Sequence, residues 1–137
     1  VHSLTWDKYF MGLVQEVSKK GSCLRAQVGV VIAKDNVIIS TGYNGAPTGM
    51  PHCYDIGCLM VNNHCVRSLH AEENALLFAG RERTIGTTLY TTHMPCYHCC
   101  LMIINMKIVR VVYGTQYGNT DGIELLKLAG IEVKEMK

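Results

Sequence analysis

At 137 residues and 48% hydrophobic positions, the chain has the size of one domain with its own core, and the composition excludes disorder. The formal net charge is only +2, and its densest basic spots are Lys19-Lys20 and Arg81/Arg83, which argues against a phosphate-tracking nucleic-acid groove. No apolar run reaches the length of a membrane span and no signal-peptide pattern opens the chain, so the expected setting is cytoplasmic.

The spacing of Trp6, Phe10, Leu13, Val14 and Val17 predicts a helix over about 5–19, capped by Thr5 or Ser3 and ended by Gly21. Cys23 follows in a loop. Residues 28–33 and 37–41 read as two strands joined at a tight Asp35-Asn36 turn. Gly42-Tyr43-Asn44-Gly45-Ala46-Pro47-Thr48-Gly49 then breaks regular structure and opens a loop reaching to about Ser68. An unstructured loop of that length is uncommon unless it binds something or is tied down, and this one holds Cys53, Cys58, His64 and Cys65.

A second helix is expected over 70–79, with Ala71, Ala75, Leu76, Phe78 and Ala79 toward one side, Ser68 as cap and Gly80 as stop. Residues 87–92 form a strand. Pro95 is expected at the first position of a third helix that continues through Leu101, Met102, Ile104 and Asn105. Residues 108–113 make an interior strand. Asp121 and Glu124 have the spacing of a capping box for a helix running to Ala129, with Gly130 as stop and a half-exposed strand over 131–134. The order α-β-β-α-β-α-β-α-β implies an α/β domain spanning 1–137. Its mixed five-stranded sheet carries helices on its faces, the hairpin antiparallel and the later strands parallel.

Two short segments hold the chemistry: His70-Ala71-Glu72 and Pro95-Cys96-Tyr97-His98-Cys99. Together they match H-x-E…P-C-x-x-C, the pattern of zinc-dependent nucleobase deaminases. Cys96 and Cys99, three apart in a first helical turn, lie on one side, where unpaired N–H groups and the helix dipole favour thiolates. His70 adds a neutral nitrogen from another helix start, and three protein ligands leave a fourth tetrahedral position open for water. Glu72 is two residues from His70, so both address one pocket only at a helix N-terminus. Glu72 is expected to carry protons from water to the ring N3 and the departing ammonia, not to bind metal. Alone, C-x-x-C is often a structural zinc or redox pair, and H-x-E means little; the joint pattern at two helix starts carries the reading. Of the flanking residues, Cys100 is expected in the core, His98 at the surface and His93, at a strand end, beside the pocket. The odd number of cysteines, seven, argues for metal ligation plus a buried thiol over a disulfide framework.

Further segments carry a family resemblance. These are Cys23-Leu24-Arg25 before Val28-Gly29, Gly42-Tyr43-Asn44-Gly45, His52-Cys53, Gly57-Cys58-Leu59-Met60, the run His64-Cys65-Val66-Arg67-Ser68-Leu69-His70-Ala71-Glu72-Glu73-Asn74-Ala75, and Pro95 through Cys99. The chain resembles the deoxycytidylate (dCMP) deaminases from about residue 6 to 133. One departure is conservative: Ser68-Leu69 stands where the family often has Thr-Ile. The resemblance implies a three-layer αβα cytidine-deaminase-like fold, a hexamer, and hydrolysis of dCMP to dUMP and ammonia for thymidylate synthesis. Activation by dCTP with Mg2+ and inhibition by dTTP come with it in many members.

By position, the resemblance implies that Asn44 contacts deoxyribose or base and that Gly42, Tyr43, Asn44 and Gly45 lie near substrate and effector. Phe78 and Arg81 would stand near the effector, the alternatives being a core side chain and a helix-end cation. Arg25 would meet the substrate phosphate and Tyr117 would close the pocket. A second, structural zinc would be held by Cys23, Cys53, Cys58 and Cys65, with His64 as an alternative ligand. Two other functions compete. A tRNA adenosine, cytidine or free-base deaminase shares the zinc motifs, but the Gly42-Tyr43-Asn44-Gly45 loop, the cysteine-rich insertion and the lack of a basic surface oppose it. A non-catalytic zinc-stabilised interaction module would have no use for Glu72.

Overall fold

A computed structural model of the chain describes residues 4–137, so Ser3, one of the two predicted caps, lies outside the described residues. Helix α1 (Trp6–Ser18) starts at Thr5, whose Oγ1 accepts from the Lys8 N–H at 3.2 Å. Its buried face is Phe10, Met11, Val14 and Ser18. Trp6, expected on that face, is 54% exposed and stacks on Phe10.

Strands β1 (Gly29–Lys34) and β2 (Val37–Tyr43) pair antiparallel across Asp35 and Asn36, both left-handed as a two-residue hairpin turn requires. The long segment that follows is not the featureless loop expected. It contains a one-turn helix, α2 (Cys53–Ile56), and a small hairpin of β3 (Met60–Val61) and β4 (His64–Cys65). Asn62 and Asn63 supply the left-handed turn, a conformation asparagine tolerates.

Helix α3 (Ala71–Ala79) is capped at His70 and not at Ser68. Glu73 Oε1 accepts from the His70 N–H at 2.8 Å, the return half of a capping box. After Gly80 the chain adds an extra turn, α4 (Arg81–Thr84), before β5 (Thr88–His93). Helix α5 (Tyr97–Asn105) has Cys96 as its cap, which moves Pro95 one residue outside the helix. Strand β6 (Arg110–Thr115), helix α6 (Asp121–Leu128) and strand β7 (Glu132–Glu135) complete the chain. The Asp121/Glu124 capping box is absent: Thr120 is the cap residue, and Asp121 is already helical with its N–H on Asn119 Oδ1.

The sheet order is β2-β1-β5-β6-β7, antiparallel from β2 to β5 and parallel from β5 to β7. Alternate residues face opposite layers. Val30, Ile32, Leu89, Val111 and Tyr113 pack with Ala75, Ile103, Ile123 and Leu126 of α3, α5 and α6. Val31, Ala33, Tyr90 and Val112 pack with Phe10, Met11 and Val14 of α1. The result is the expected three-layer αβα mixed sheet. Gly42 lets α3 approach β2, since a Cβ there would run into Ala71 O and Ala75 N. That close approach fixes where the N-terminus of α3, and hence His70, must lie.

A polar cluster staples α1 to the strands. Asp7 accepts from Arg110 Nη1 at 2.8 Å and Nη2 at 2.7 Å, from the Tyr90 hydroxyl at 2.8 Å and from Lys134 Nζ at 3.0 Å. Arg110 also donates to Glu132 from Nε at 2.6 Å. The bidentate Arg110 bond, then the Tyr90 and Lys134 bonds, holds the Asp7 carboxyl far below its ordinary 3.8 despite partial burial. A depressed carboxyl contributes stability that is present above the unfolded pKa and is lost as pH falls toward the folded one. Asp7→Asn should therefore cost about 2 kcal/mol at neutral pH. In urea melts the wild type should hold its midpoint down to about pH 5 and lose it progressively below about pH 4, with Asp7→Asn falling less. Parallel pH curves for the two proteins would contradict this.

Candidate active site and metal centres

The loop after β5 delivers Cys96 to the start of α5, and the close β2–α3 packing delivers His70 to the start of α3. The two helix N-termini meet there. His70 Nδ1 lies 3.3 Å from Cys99 Sγ and 3.6 Å from Cys96 Sγ, and the three donor atoms all fall within 4.8 Å of one another. Bond lengths of about 2.3 Å to sulfur and about 2.0 Å to nitrogen around a tetrahedral ion give ligand separations of about 3.5 Å. The set therefore fits zinc in both donor type and spacing.

Its protonation tells the same story. Hydrogen bonding from Cys99, then from His70, pulls the Cys96 thiol down to about 3, and the backbone N–H of Cys99 adds to this. His70 is pushed up to about 9, first by its bond to Cys96, and the Cys99 thiol rises in response to the Cys96 thiolate.

Glu72, in the first turn of α3, is 4% exposed. Burial pushes its carboxyl up to about 7, against the opposing pull of its own backbone N–H and the His70 charge. A carboxyl poised near neutrality suits a group that must both take and give a proton. Cys100 is fully buried as expected, its thiol pushed up to about 12 by burial, and is separate from the donor set.

Glu72, His70 and Cys96 open onto a cavity of about 720 Å³. Arg25, Asn44, His64, His93 and Tyr117, all singled out from the sequence, line it too. Arg25 is held by its Nη1 bond to the Asn63 carbonyl at 2.8 Å. Burial lowers the pKa of the His93 imidazole, and its Nδ1 lies 2.8 Å from Thr92 Oγ1. Tyr117 is 58% exposed at the mouth. The Asn44 carboxamide accepts from the Val28 N–H at 2.8 Å and donates to the Ala26 carbonyl at 2.7 Å, so it braces the 26–28 loop.

Of the other loop residues, Gly42, Tyr43 and Gly45 do not line this cavity. Phe78 and Arg81 do not line it either. Phe78 is 69% exposed, which overturns its alternative as a core side chain and its place on the buried face of α3. His98 is exposed as expected, yet it borders the cavity together with Tyr97 and Met94, which the sequence did not single out. Their adjacency to the cysteine motif was the available signal. Glu73 was also missed, although its position three after His70 is capping-box spacing.

A second cluster stands beside the first. Cys23, Cys53, Cys58 and Cys65 place their sulfurs within 4.8 Å of one another, with Cys53 and Cys65 at 3.6 Å. Four thiols at such separations suit a closed tetrahedral site. Burial raises the Cys65 thiol, but the Arg67 and Leu59 backbone and neighbouring thiols bring it down to about 6; burial and its thiol neighbours push Cys58 up to about 12. Cys23 and Cys65 line the cavity, while His64 lies outside this donor set.

Known proteins resemble this chain in sequence and fold. The family described as the cytidine and deoxycytidylate deaminase zinc-binding region matches residues 4–115. The ComE operon protein 2 of Bacillus subtilis is 38% identical over 98% of this chain and 72% of its own length. The deoxycytidylate deaminase of Saccharomyces cerevisiae is 39% identical over 96% of this chain, which spans only 45% of that protein. A crystal structure of the dCMP deaminase from the cyanophage S-TIM5, in complex with dCMP and dUMP, superposes with a TM-score of 0.84 at 30% identity, covering 98% of this chain and 100% of that one. With a matching family profile over most of its length, a fold of the same kind and the donor set in place, the chain belongs to the cytidine and deoxycytidylate deaminase family of zinc-binding hydrolases.

Proposed function

We propose that the chain hydrolyses dCMP to dUMP and ammonia. One observation carries this reading: a buried carboxyl, Glu72, stands beside a zinc-type donor set in a cavity that also presents Arg25 and His64. His70, Cys96 and Cys99 would hold zinc, which when bound supplies Lewis-acid activation of water. Glu72 accepts the proton from the water as the C4–O bond forms. It passes protons to the ring N3 and to the amine as the C4–N bond breaks, so one water is consumed and one ammonia leaves.

Arg25 meets the 5′-phosphate as a charge-assisted donor, His64 adds a second donor, and Tyr117 covers the mouth. Asn44 and His93 face the deoxyribose and base. The cyanophage protein's complex with dCMP and dUMP supports this substrate class, as does the small net charge of +2. The proposal also takes residues 1–137 as one deaminase domain, cytoplasmic and hexameric, supplying dUMP for thymidylate synthesis. It further includes a second zinc on Cys23, Cys53, Cys58 and Cys65. Activation by dCTP with Mg2+ and inhibition by dTTP, through Gly42, Tyr43, Asn44, Gly45, Phe78 and Arg81, complete it.

Purified protein should release ammonia from dCMP. No turnover, with or without dCTP and Mg2+, ends the enzyme reading. Glu72→Gln should lower kcat by at least about 1000-fold with zinc content unchanged. Loss of zinc in that variant would instead make Glu72 a ligand. Elemental analysis should find two zinc ions per chain, and a single ion would remove the four-thiolate site. Arg25→Ala should raise KM for dCMP by about tenfold or more and leave deoxycytidine, which has no phosphate, unaffected. Equal effects on both substrates would take the phosphate contact away from Arg25.

A further inference from the structure

Three loops meet at the imidazole of His52. Its Nδ1 lies 2.6 Å from Ser22 Oγ and 3.4 Å from the Ala46 backbone nitrogen. A backbone N–H can only donate, so Nδ1 is the acceptor, the ring proton sits on Nε2, and the Ser22 hydroxyl donates. The His52 N–H donates in turn to Asp55 Oδ2 at 3.0 Å, which fixes the ring at the start of α2. Packing agrees with the hydrogen bonds. A Cβ at Gly45 would stand 3.2 Å from Ser22 Oγ, a tight contact, and 3.7 Å from His52 Cε1, an ordinary one, so both side chains close directly on this loop.

Each loop held there continues into the functional site. Ser22 precedes Cys23 and His52 precedes Cys53, two of the four clustered thiols. Ala46 follows Asn44-Gly45. Gly45 pairs in both directions with Leu69, at 3.2 Å and 2.9 Å, and the Ser22 N–H donates to the Asn44 carbonyl at 2.9 Å. The Asn44 carboxamide then braces Ala26 and Val28, which line the cavity beside Arg25. His70 is secured separately by Glu73 Oε1 and by the packing of α3 on β2.

We propose that His52 is a positioning residue for the substrate cavity: its acceptor nitrogen locks the 44–46 loop to Ser22, and that lock sets the wall formed by Asn44, Ala26 and Val28. It acts on substrate binding and not on the bond-breaking step, because Glu73 Oε1 and the packing of α3 on β2 hold His70 and Glu72 even where the Gly45–Leu69 pairing loosens. The kinetic half of its test rests on the proposed dCMP reading, and the exchange half does not.

The test uses the zinc-loaded full chain and two substitutions. His52→Phe keeps a ring of similar size without the acceptor, and His52→Asn sets an amide oxygen where Nδ1 stood. His52→Phe should speed amide hydrogen exchange at Gly45, Ala46 and Leu69 by about tenfold or more. It should raise KM for dCMP by about tenfold with kcat within about twofold of wild type. His52→Asn should return both to near wild type, which a role in bulk packing alone would not produce. Unchanged exchange in His52→Phe overturns the proposal, as does a fall in kcat at unchanged KM or a His52→Asn variant no better than His52→Phe. Ser22→Ala probes the same node from the donor side if His52→Phe does not fold. It should move exchange at Ala46 in the same direction, and an unmoved value overturns the proposal. A wild type that leaves dCMP untouched sinks the substrate reading, while the exchange result still decides the node.

Discussion

Titratable groups gathered at the meeting of two helix N-termini, with Glu72 and Cys99 buried among them, are the constraint that the rest of this chain satisfies. A carboxyl, an imidazole and two thiols within one small volume would repel or desolvate one another at high cost if left unpaired. The starts of α3 and α5 lower that cost by presenting unbonded N–H groups and the positive ends of their dipoles. The cost that remains is the one a divalent cation removes. Burial of Glu72 follows from the same geometry, since the first turn of α3 faces the cavity from beneath the donor set.

The sheet exists in this account to bring those helix starts together. Strands β5 and β6 run parallel, so the loop after β5 and the start of α5 lie at the C-terminal end of the central strands. β2 carries Gly42, where α3 presses onto the backbone. On the opposite face α1 is tied to β5, β6 and β7 through Asp7, Tyr90, Arg110 and Lys134. The cysteine-rich segment performs a related task for the cavity. A hairpin of two-residue strands and a single-turn helix bury too little apolar surface to hold themselves in place. The Ser22–His52 bond and the packing of Cys23, Cys53, Cys58 and Cys65 against one another hold the segment to the rest of the chain instead.

The parts legible in the sequence are those fixed by local periodicity. Runs rich in β-formers marked the five main strands, and the spacing of His70, Cys96 and Cys99, with Glu72 beside them, announced the site, because helix geometry makes that spacing useful only at two N-termini. Thr5 caps α1 as expected, but the caps of α3, α5 and α6 were misplaced for an instructive reason. Ser68 and Asp121 are better capping residues by propensity than His70, Cys96 or Thr120, but the chain uses two of its caps for chemistry, and at the third Asn119 Oδ1 takes the Asp121 N–H, which leaves Asp121 inside the helix. Phe78 misled because it falls just outside the arc through Ala71, Ala75, Leu76 and Ala79 that the sheet covers. Contacts between distant residues left no trace in any local pattern. Asp7 with Arg110 and Ser22 with His52 join loops and helices that only the fold brings together.

The arrangement at the two helix starts can be tested most directly by anomalous scattering at the zinc edge, from crystals of the zinc-loaded protein soaked with dCMP. The account predicts a zinc ion about 2.3 Å from Cys96 and Cys99 Sγ and about 2.0 Å from His70 Nδ1, with the pyrimidine C4 facing it and Glu72 within hydrogen-bond reach of N3. A zinc ion ligated by Glu72 as a fourth protein ligand, or no zinc at His70, Cys96 and Cys99, would contradict it.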